Sequence, residues 1–506
     1  MKNRLEHIGP IIAKIREDKE MTQKVLAKKI MTTQSAVARM EKGEQNLTTE
    51  MLARIGRALK AEILSVSSGK MNLKIKGGEK LHGKIRVNTS KNGAMGLLSA
   101  SLLNRGTTVL KNVPNIEEVN RIVEVLKSIG VRVKRSRGNI EIIPPKKFTF
   151  SRLDKKAAGQ TRSIIMFIGP LVHSLKTFTL PNTGGCELGV RSIRPHHYAL
   201  EKLGIVIETR KNDFVVRHKG LRKNQEIILY EAGDTVTQNV LMAASLIPTT
   251  TTIKYASANY QVQELCFFLE KLGVKIGGVG TSTLVVSGVS TINKHMEYEI
   301  SEDPTDAMFF LAAAIMTKSS IIIERCPIEF LEIELLTLEK MGFKYSKSKP
   351  YLSRNGRTKL VDIKTQSSNL FAPPEKIHPL PYPGLNIDNL PFFAAIATIA
   401  KGQTLIHDWV YDKRALYYTE LDKLGASTVL ADPHRLYITG PTKLRATELV
   451  CPPALRPATI LLICMLAAEG TSVLRDVYSI NRGYENLTKR LNSIGAEISI
   501  IRDFTY

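Results

Sequence analysis

At 506 residues the chain exceeds what a single hydrophobic core organises, so two or three domains are expected, and an apolar content of 43% is ample for large interiors. No apolar run approaches a membrane span, the start Met1-Lys2-Asn3-Arg4 lacks a signal-peptide core, and Cys186, Cys266, Cys326, Cys451 and Cys464 form an odd, scattered set without metal-like spacing. A membrane protein and a disulfide-framed secreted protein are thereby excluded, a cytoplasmic setting is expected, and the formal charge of +25 suits polyanionic partners such as nucleic acid or phosphorylated metabolites.

Residues 8 to 60 read as all helix, because Ile12, Ile15, Val25, Leu26, Ile30, Val37, Met40, Leu52, Ile55 and Leu59 recur at helical spacing. Four or five short helices are expected. Thr22-Gln23 caps the second, and Thr33-Gln34-Ser35 opens a third that carries Arg39 and stops at Lys42-Gly43. That layout suits a helix-turn-helix whose later helix enters a major groove. The stretch Met21 to Ala27, followed by Gln34 to Gly43, resembles the Cro/repressor-type (XRE) helix-turn-helix family. The resemblance implies that Gln23 touches phosphate and that Gln34, Ser35 and Arg39 face DNA, with a symmetric dimer as the default for such a reader. The domain is placed at residues 1–62, and 63–70, containing Ser65, Ser67, Ser68 and Gly69, reads as a flexible linker.

From Met71 onward the pattern changes to an internal repeat of roughly seventy residues, a length suited to a compact α/β module. The motif Leu-x-x-(Leu/Ile/Met)-Gly ends at Gly130, Gly204, Gly273, Gly342, Gly425 and Gly495. Its apolar positions share one helix face, and the glycine fits the left-handed residue that stops a helix. Strands such as Ile205-Val206-Ile207 and Val274-Lys275-Ile276 follow the glycines, and Gly/Thr/Ser clusters at Gly106-Thr107-Thr108, Thr251-Thr252, Ser319-Ser320, Gly402 and Gly470-Thr471-Ser472 open further strands. The expected fold is α/β, two similar lobes of three units each with a ligand cleft between them.

The residues expected to line that cleft are cations in unusual settings: Lys91 beside Asn92-Gly93, Arg162 before an apolar helix, Arg191 after a glycine loop, and Arg414, Arg456 and Arg482 late in the chain. Converging guanidiniums suit a small ligand with carboxylate and phosphate, because each can hold two anionic oxygens. In Pro181-Asn182-Thr183-Gly184-Gly185-Cys186 the paired glycines allow the loop to swing, and Cys186 between Arg162 and Arg191 is placed to be a proton donor or nucleophile. Gly277-Gly278-Val279-Gly280 reads as a hairpin turn, not a dinucleotide loop, and His196-His197 lacks the partners of a metal site; no metal is expected. Pro373-Pro374 and the stretch from Pro379 to Pro383 read as a rigid connection ahead of Asp388.

Asn88 to Ala94, Arg162-Ser163-Ile164, Gly184-Gly185-Cys186 through Arg191, Asn386-Ile387-Asp388, Asp412-Lys413-Arg414, Leu455-Arg456 and Ile480 to Glu485 occur in an order that resembles the UDP-N-acetylglucosamine enolpyruvyl transferases over essentially all of residues 71–506. Lys91-Asn92 favours that family over the related EPSP synthases, where a Ser-Lys-Ser type sequence is expected. The resemblance implies a two-lobed inside-out α/β barrel of six repeats, one lobe from 71–90 and 301–506 and the other from 91–300. It implies phosphoenolpyruvate and UDP-N-acetylglucosamine as substrates and no metal or organic cofactor. It further implies that Lys91, Arg162, Arg191, Arg414, Arg456 and Arg482 neutralise the donor, that Cys186 protonates the vinyl methylene and reacts with fosfomycin, and that Asp388 takes the proton of the sugar 3-hydroxyl. Asn92 and His196 fall at family positions beside the substrate.

The chain departs from the family at Ala454, where an aspartate is usual, at Arg194, which reverses a charge near the uracil, at Leu229, which replaces a lysine, and across Ser301-Glu302-Asp303-Pro304-Thr305. The phosphoenolpyruvate side is better kept than the nucleotide side. A metabolite-sensing regulator that has lost turnover, or a transferase with another acceptor, are the alternatives these departures raise.

Overall fold

A computed structural model describes residues 8–59 except 18, 20 and 46, then 71–182 and 192–502. It divides into two compact units, the residues before Met71 and the body Met71–Ile501. No described helix is long and apolar enough to cross a membrane.

In the first unit, helices Ile8–Glu17, Gln23–Lys29, Gln34–Glu41 and Thr49–Leu59 enclose a core of Ile12, Leu26, Ala27, Ile30, Ala36, Val37, Met40, Leu52, Ile55 and Leu59. The hydroxyls of Thr22 and Thr33 cap the second and third helices by accepting from the amides of Val25 and Ala36, as their spacing predicts. Val25, expected inside, is exposed, because Leu26 and Ala27 beside it take the buried face.

In the body each repeat glycine has positive φ, from 84° at Gly204 to 104° at Gly273, so each stops its segment as the motif requires. The segment before Gly425 is the exception in kind: Ala415–Leu424 winds as a 3-10 helix where Arg414 and Tyr418 reach back to Asp408. Hairpins follow five of these glycines, pairing Arg132–Ser136 with Asn139–Ile143, Ile205–Thr209 with Asp213–His218, Lys275–Gly277 with Thr283–Ser287, Lys344–Lys347 with Lys359–Gln366 and Ser427–Leu430 with Arg435–Gly440, all antiparallel. After Gly495, Glu497–Arg502 instead joins Met71–Gly77, the first strand of the body. The segment from Gly277 to Gly280 is the hairpin turn that the sequence predicts.

Among the described residues the strands form six sheets, one per repeat. Inside them lie the apolar helices Lys91–Ala100, Ile168–Leu171, Asp234–Ser245, Pro304–Met316, Leu390–Ala397 and Leu455–Ala467. Every residue of Pro304–Met316 and Leu390–Ala397 is buried. A helix apolar on all sides has no face for water, so the sheets wrap the helices and the barrel is turned inside out. The buried apolar residues form two large cores, one from 94–300 and the other from 73–87 with 307–498. Where the chain crosses between them the two passages pair, Ser90 N donating to Ser301 O at 2.8 Å and Asp303 N to Asn88 O at 2.8 Å. This short antiparallel contact leads directly into the helix that starts at Lys91.

Candidate active site

Lys91 and Asn92 begin a helix whose N-cap, Ser90, accepts from Gly93 N at 2.9 Å, so both side chains leave from the positive end of the helix. Lys91 Nζ lies 2.7 Å from Glu118 Oε2, and Asn92 Nδ2 donates to Tyr260 Oη at 2.9 Å. Burial pushes the Glu118 carboxyl up, but Lys91 and the charge of Arg482 outweigh it and hold the group below its ordinary value. Across the cleft Asn386 Oδ1 accepts from Asp388 N at 2.8 Å, fixing the aspartate just before the apolar helix Leu390–Ala397. Arg456, second residue of Leu455–Ala467, donates from Nη1 to Tyr484 Oη at 2.8 Å, and its Nη2 stands 3.4 Å from Asp388 Oδ2. Burial lowers its proton affinity, yet Tyr484, Asp388 and Asp303 more than offset this, so the guanidinium stays charged.

Lys91, Asn92, Glu118, Tyr260, Asn386, Asp388 and Arg456 line one cavity of about 980 Å³, which also receives Arg162, Arg194, Arg414, Arg482, Glu231, Asp234 and Gln261. Arg414 is wholly buried and grips Asp408 through Nε at 2.6 Å and Nη2 at 2.9 Å, while its Nη1 has no partner. Arg482 Nε is likewise buried and unpartnered. A guanidinium that lines a cleft and keeps an unused donor is suited to anionic ligands.

The structure thus brings Lys91, Asn92, Arg162, Asp388, Arg414, Arg456 and Arg482 together. It does not bring His196 to the cleft: the ring is 3% exposed, with Nε2 3.3 Å from Thr235 Oγ1 and Nδ1 3.1 Å from Asn239 Nδ2. Burial, then the charge of Arg162, push it down to about 3, so it is a neutral packing residue. Cys186 and Arg191 lie outside the described residues. Among the departures, Arg194 lines the cavity, Leu229 is buried in the core, and Ala454 leaves Leu455–Ala467 without a side-chain cap.

Sequence reasoning missed Glu118, Asp234, Gln261 and the edge-to-face pair Tyr198–Tyr230, whose ring centroids are 5.8 Å apart at the cleft wall. Glu118 reads in sequence only as a helix-start acid, and the others carry no local signal at all. In the first unit Gln34, Ser35 and Arg39 are exposed, and Gln23 is held by Glu41, to which it donates at 2.8 Å. Glu41 also pairs with buried Arg16 at 2.6 Å.

Six sheets around buried helices, with an arginine-rich cleft between two cores, define the inside-out barrel class of transferases. The sequence pattern of EPSP synthase (3-phosphoshikimate 1-carboxyvinyltransferase) matches residues 75–491, so the chain belongs to that family of enolpyruvyl transferases, and a helix-turn-helix pattern matches residues 12–64. It is 33% identical to UDP-N-acetylglucosamine 1-carboxyvinyltransferase from Treponema denticola, over 84% of this chain and 98% of that one. The protein of the same name from Methylacidiphilum infernorum is 34% identical, over 84% and 97%. Among solved structures, the enolpyruvyl transferase NikO from Streptomyces tendae shares the fold with a TM-score of 0.75 at 20% identity, covering 86% of this chain and 100% of that one. EPSP synthase from Acinetobacter baumannii does so with a TM-score of 0.65 at 18% identity, covering 85% and 100%.

Proposed function

We propose that this chain transfers the enolpyruvyl group of phosphoenolpyruvate to the 3-hydroxyl of UDP-N-acetylglucosamine, releasing phosphate. This is the first committed step of peptidoglycan precursor synthesis. The observation that carries the reading is the convergence of Lys91, Arg162, Arg414, Arg456 and Arg482 on one cleft with Asp388, two of those guanidiniums retaining unpartnered nitrogens. A ligand carrying carboxylate and phosphate uses such donors fully.

In the reaction Asp388 accepts the proton of the sugar hydroxyl as its oxygen attacks the central carbon of the donor. Cys186 delivers a proton to the methylene carbon. The cations stabilise the tetrahedral adduct, and loss of a methyl proton with departure of phosphate restores the double bond. Asn92 and Arg191 complete the substrate contacts. No metal or organic cofactor enters the scheme, and the setting is the cytoplasm. Residues 1–62 bind duplex DNA through Gln34, Ser35 and Arg39, with Gln23 on phosphate, as one half of a symmetric dimer.

The test is phosphate release by the full chain supplied with both substrates. Robust release that disappears in Cys186→Ala supports the assignment; release that survives it overturns the role of the thiol. Arg194 in the cleft and Leu229 in the core favour a second reading, a regulator that senses the same ligands without turnover. Tight ligand binding with no phosphate release would select it.

A further inference from the structure

Two exposed aromatic rings meet at the cleft wall, each placed there by its own element. In the helix Arg194–Lys202 the residues His196, Ala199 and Leu200 are buried, which turns Arg194 and, one turn later, Tyr198 to the opposite, exposed face. Tyr230 follows the strand Glu226–Ile228, where Ile227 and Leu229 are buried and Ile228 and Tyr230 alternate with them on the exposed side. Tyr198 is 47% exposed and Tyr230 74%, and both, with Arg194, line the cavity. Their planes stand at 60°, an edge-to-face contact that covers one ring face of the four. An accessible aromatic surface is left beside an exposed guanidinium.

This wall differs in chemistry from the cationic site. Asp388, Arg414, Arg456 and Arg482 come from the later lobe, whereas both tyrosines come from the lobe that holds the core of residues 94–300. A small, doubly anionic donor gains nothing from aromatic faces, which carry the negative part of the ring quadrupole. A flat, uncharged heteroaromatic ring does gain from them, because any nucleobase has a π-face that stacks on tyrosine. The cavity has room for a ligand that joins such a ring to anionic groups, and Arg194 supplies a charge for those groups next to the rings.

We propose that Tyr198 and Tyr230 form the stacking platform for the nucleobase of the acceptor and so determine its specificity for a nucleotide sugar. This rests on the transferase reading above and deepens it by naming the residues that hold the base. The rings adjoin Arg194 and Leu229, two positions at which the chain departs from the family pattern.

Calorimetry on the full chain tests it, with UDP-N-acetylglucosamine and with UDP, which keeps the base and lacks the sugar. In the double variant Tyr198→Ala, Tyr230→Ala the Kd for both ligands should rise roughly 5- to 100-fold. The double variant Tyr198→Phe, Tyr230→Phe keeps both rings and should stay within about 2-fold of the wild type. The KM for phosphoenolpyruvate in phosphate release should also stay within about 2-fold in both variants, because its cations are untouched. A Kd in the alanine variant within about 2-fold of the wild type overturns the proposal. So does a loss confined to UDP-N-acetylglucosamine, which would place the rings on the sugar, or a loss in the phenylalanine variant as large as in the alanine one, which would make the hydroxyls the contact. Should the wild type bind UDP-N-acetylglucosamine but release no phosphate, the catalytic reading fails alone, and the same Kd comparison decides the platform. A wild type that binds neither UDP-N-acetylglucosamine nor UDP overturns both.

Discussion

Glu264 shows how a single carboxyl can be placed where it is worth most uncharged. It is 3% exposed and accepts from Ser301 N at 2.8 Å at the crossing between the lobes. Burial above all, with Glu302 adding to it against the Ser301 hydrogen bond, raises it from 4.5 to about 8. The fold therefore binds a proton that the unfolded chain releases between those values, and stability must fall as pH rises through that window. Glu264→Gln, neutral throughout, should match the wild type near pH 4.5 and exceed it by on the order of 5 kcal/mol above pH 8 in denaturant titrations. A variant advantage that is equal at both ends of the range would show that the carboxyl is charged in the native state. Asp234 is the milder case, pushed up to about 6 by burial against its hydrogen bonds from Ser257 and Asn259, and so ionised at neutral pH.

At the scale of elements, the repeat has a second glycine that its sequence pattern does not reveal. A Cβ at Gly77 would come closer than 3.0 Å to the carbonyl oxygens of Met465 and Ala468, one at Gly288 to those of Ala244 and Ile247, and one at Gly440 to those of Ala397 and Ala400. In all three repeats the end of a strand is pressed onto the last carbonyls of a buried helix, and only a residue without a side chain lets the sheet approach so closely. Gly288→Ala and Gly440→Ala should each destabilise by about 1–3 kcal/mol through overpacking. Urea melts should show it as a lower midpoint with unchanged slope, and a midpoint equal to wild type would mean that the backbone yields freely. The repeat glycines at Gly130 and its counterparts were legible because a helix stop is written in five consecutive residues. The glycines at 77, 288 and 440 were not, since their partners lie 40 to several hundred residues away in the chain.

For the whole molecule, the helix-turn-helix unit has its own closed core, and the exposed set Gln34, Ser35 and Arg39 sits on a helix pinned through Glu41 by Arg16 and Gln23. The full chain should bind duplex DNA with an affinity that falls steeply with salt. Arg39→Ala should weaken that binding roughly 10-fold or more while phosphate release is unchanged. Absence of any salt-sensitive DNA affinity in the wild type would remove the DNA-binding role. The sequence by itself determined the class of each unit, the six-fold repetition and seven residues that line the arginine-rich cleft, because periodicity, helix stops and short motifs are properties of neighbouring residues. Tertiary structure decided that His196 turns inward, that Arg414 spends two nitrogens on Asp408 and keeps one free, and that Asp234 gathers Ser257, Asn259 and Gln261. Those outcomes depend on which buried polar groups find partners, and the partners come from distant segments that only packing brings within hydrogen-bond reach.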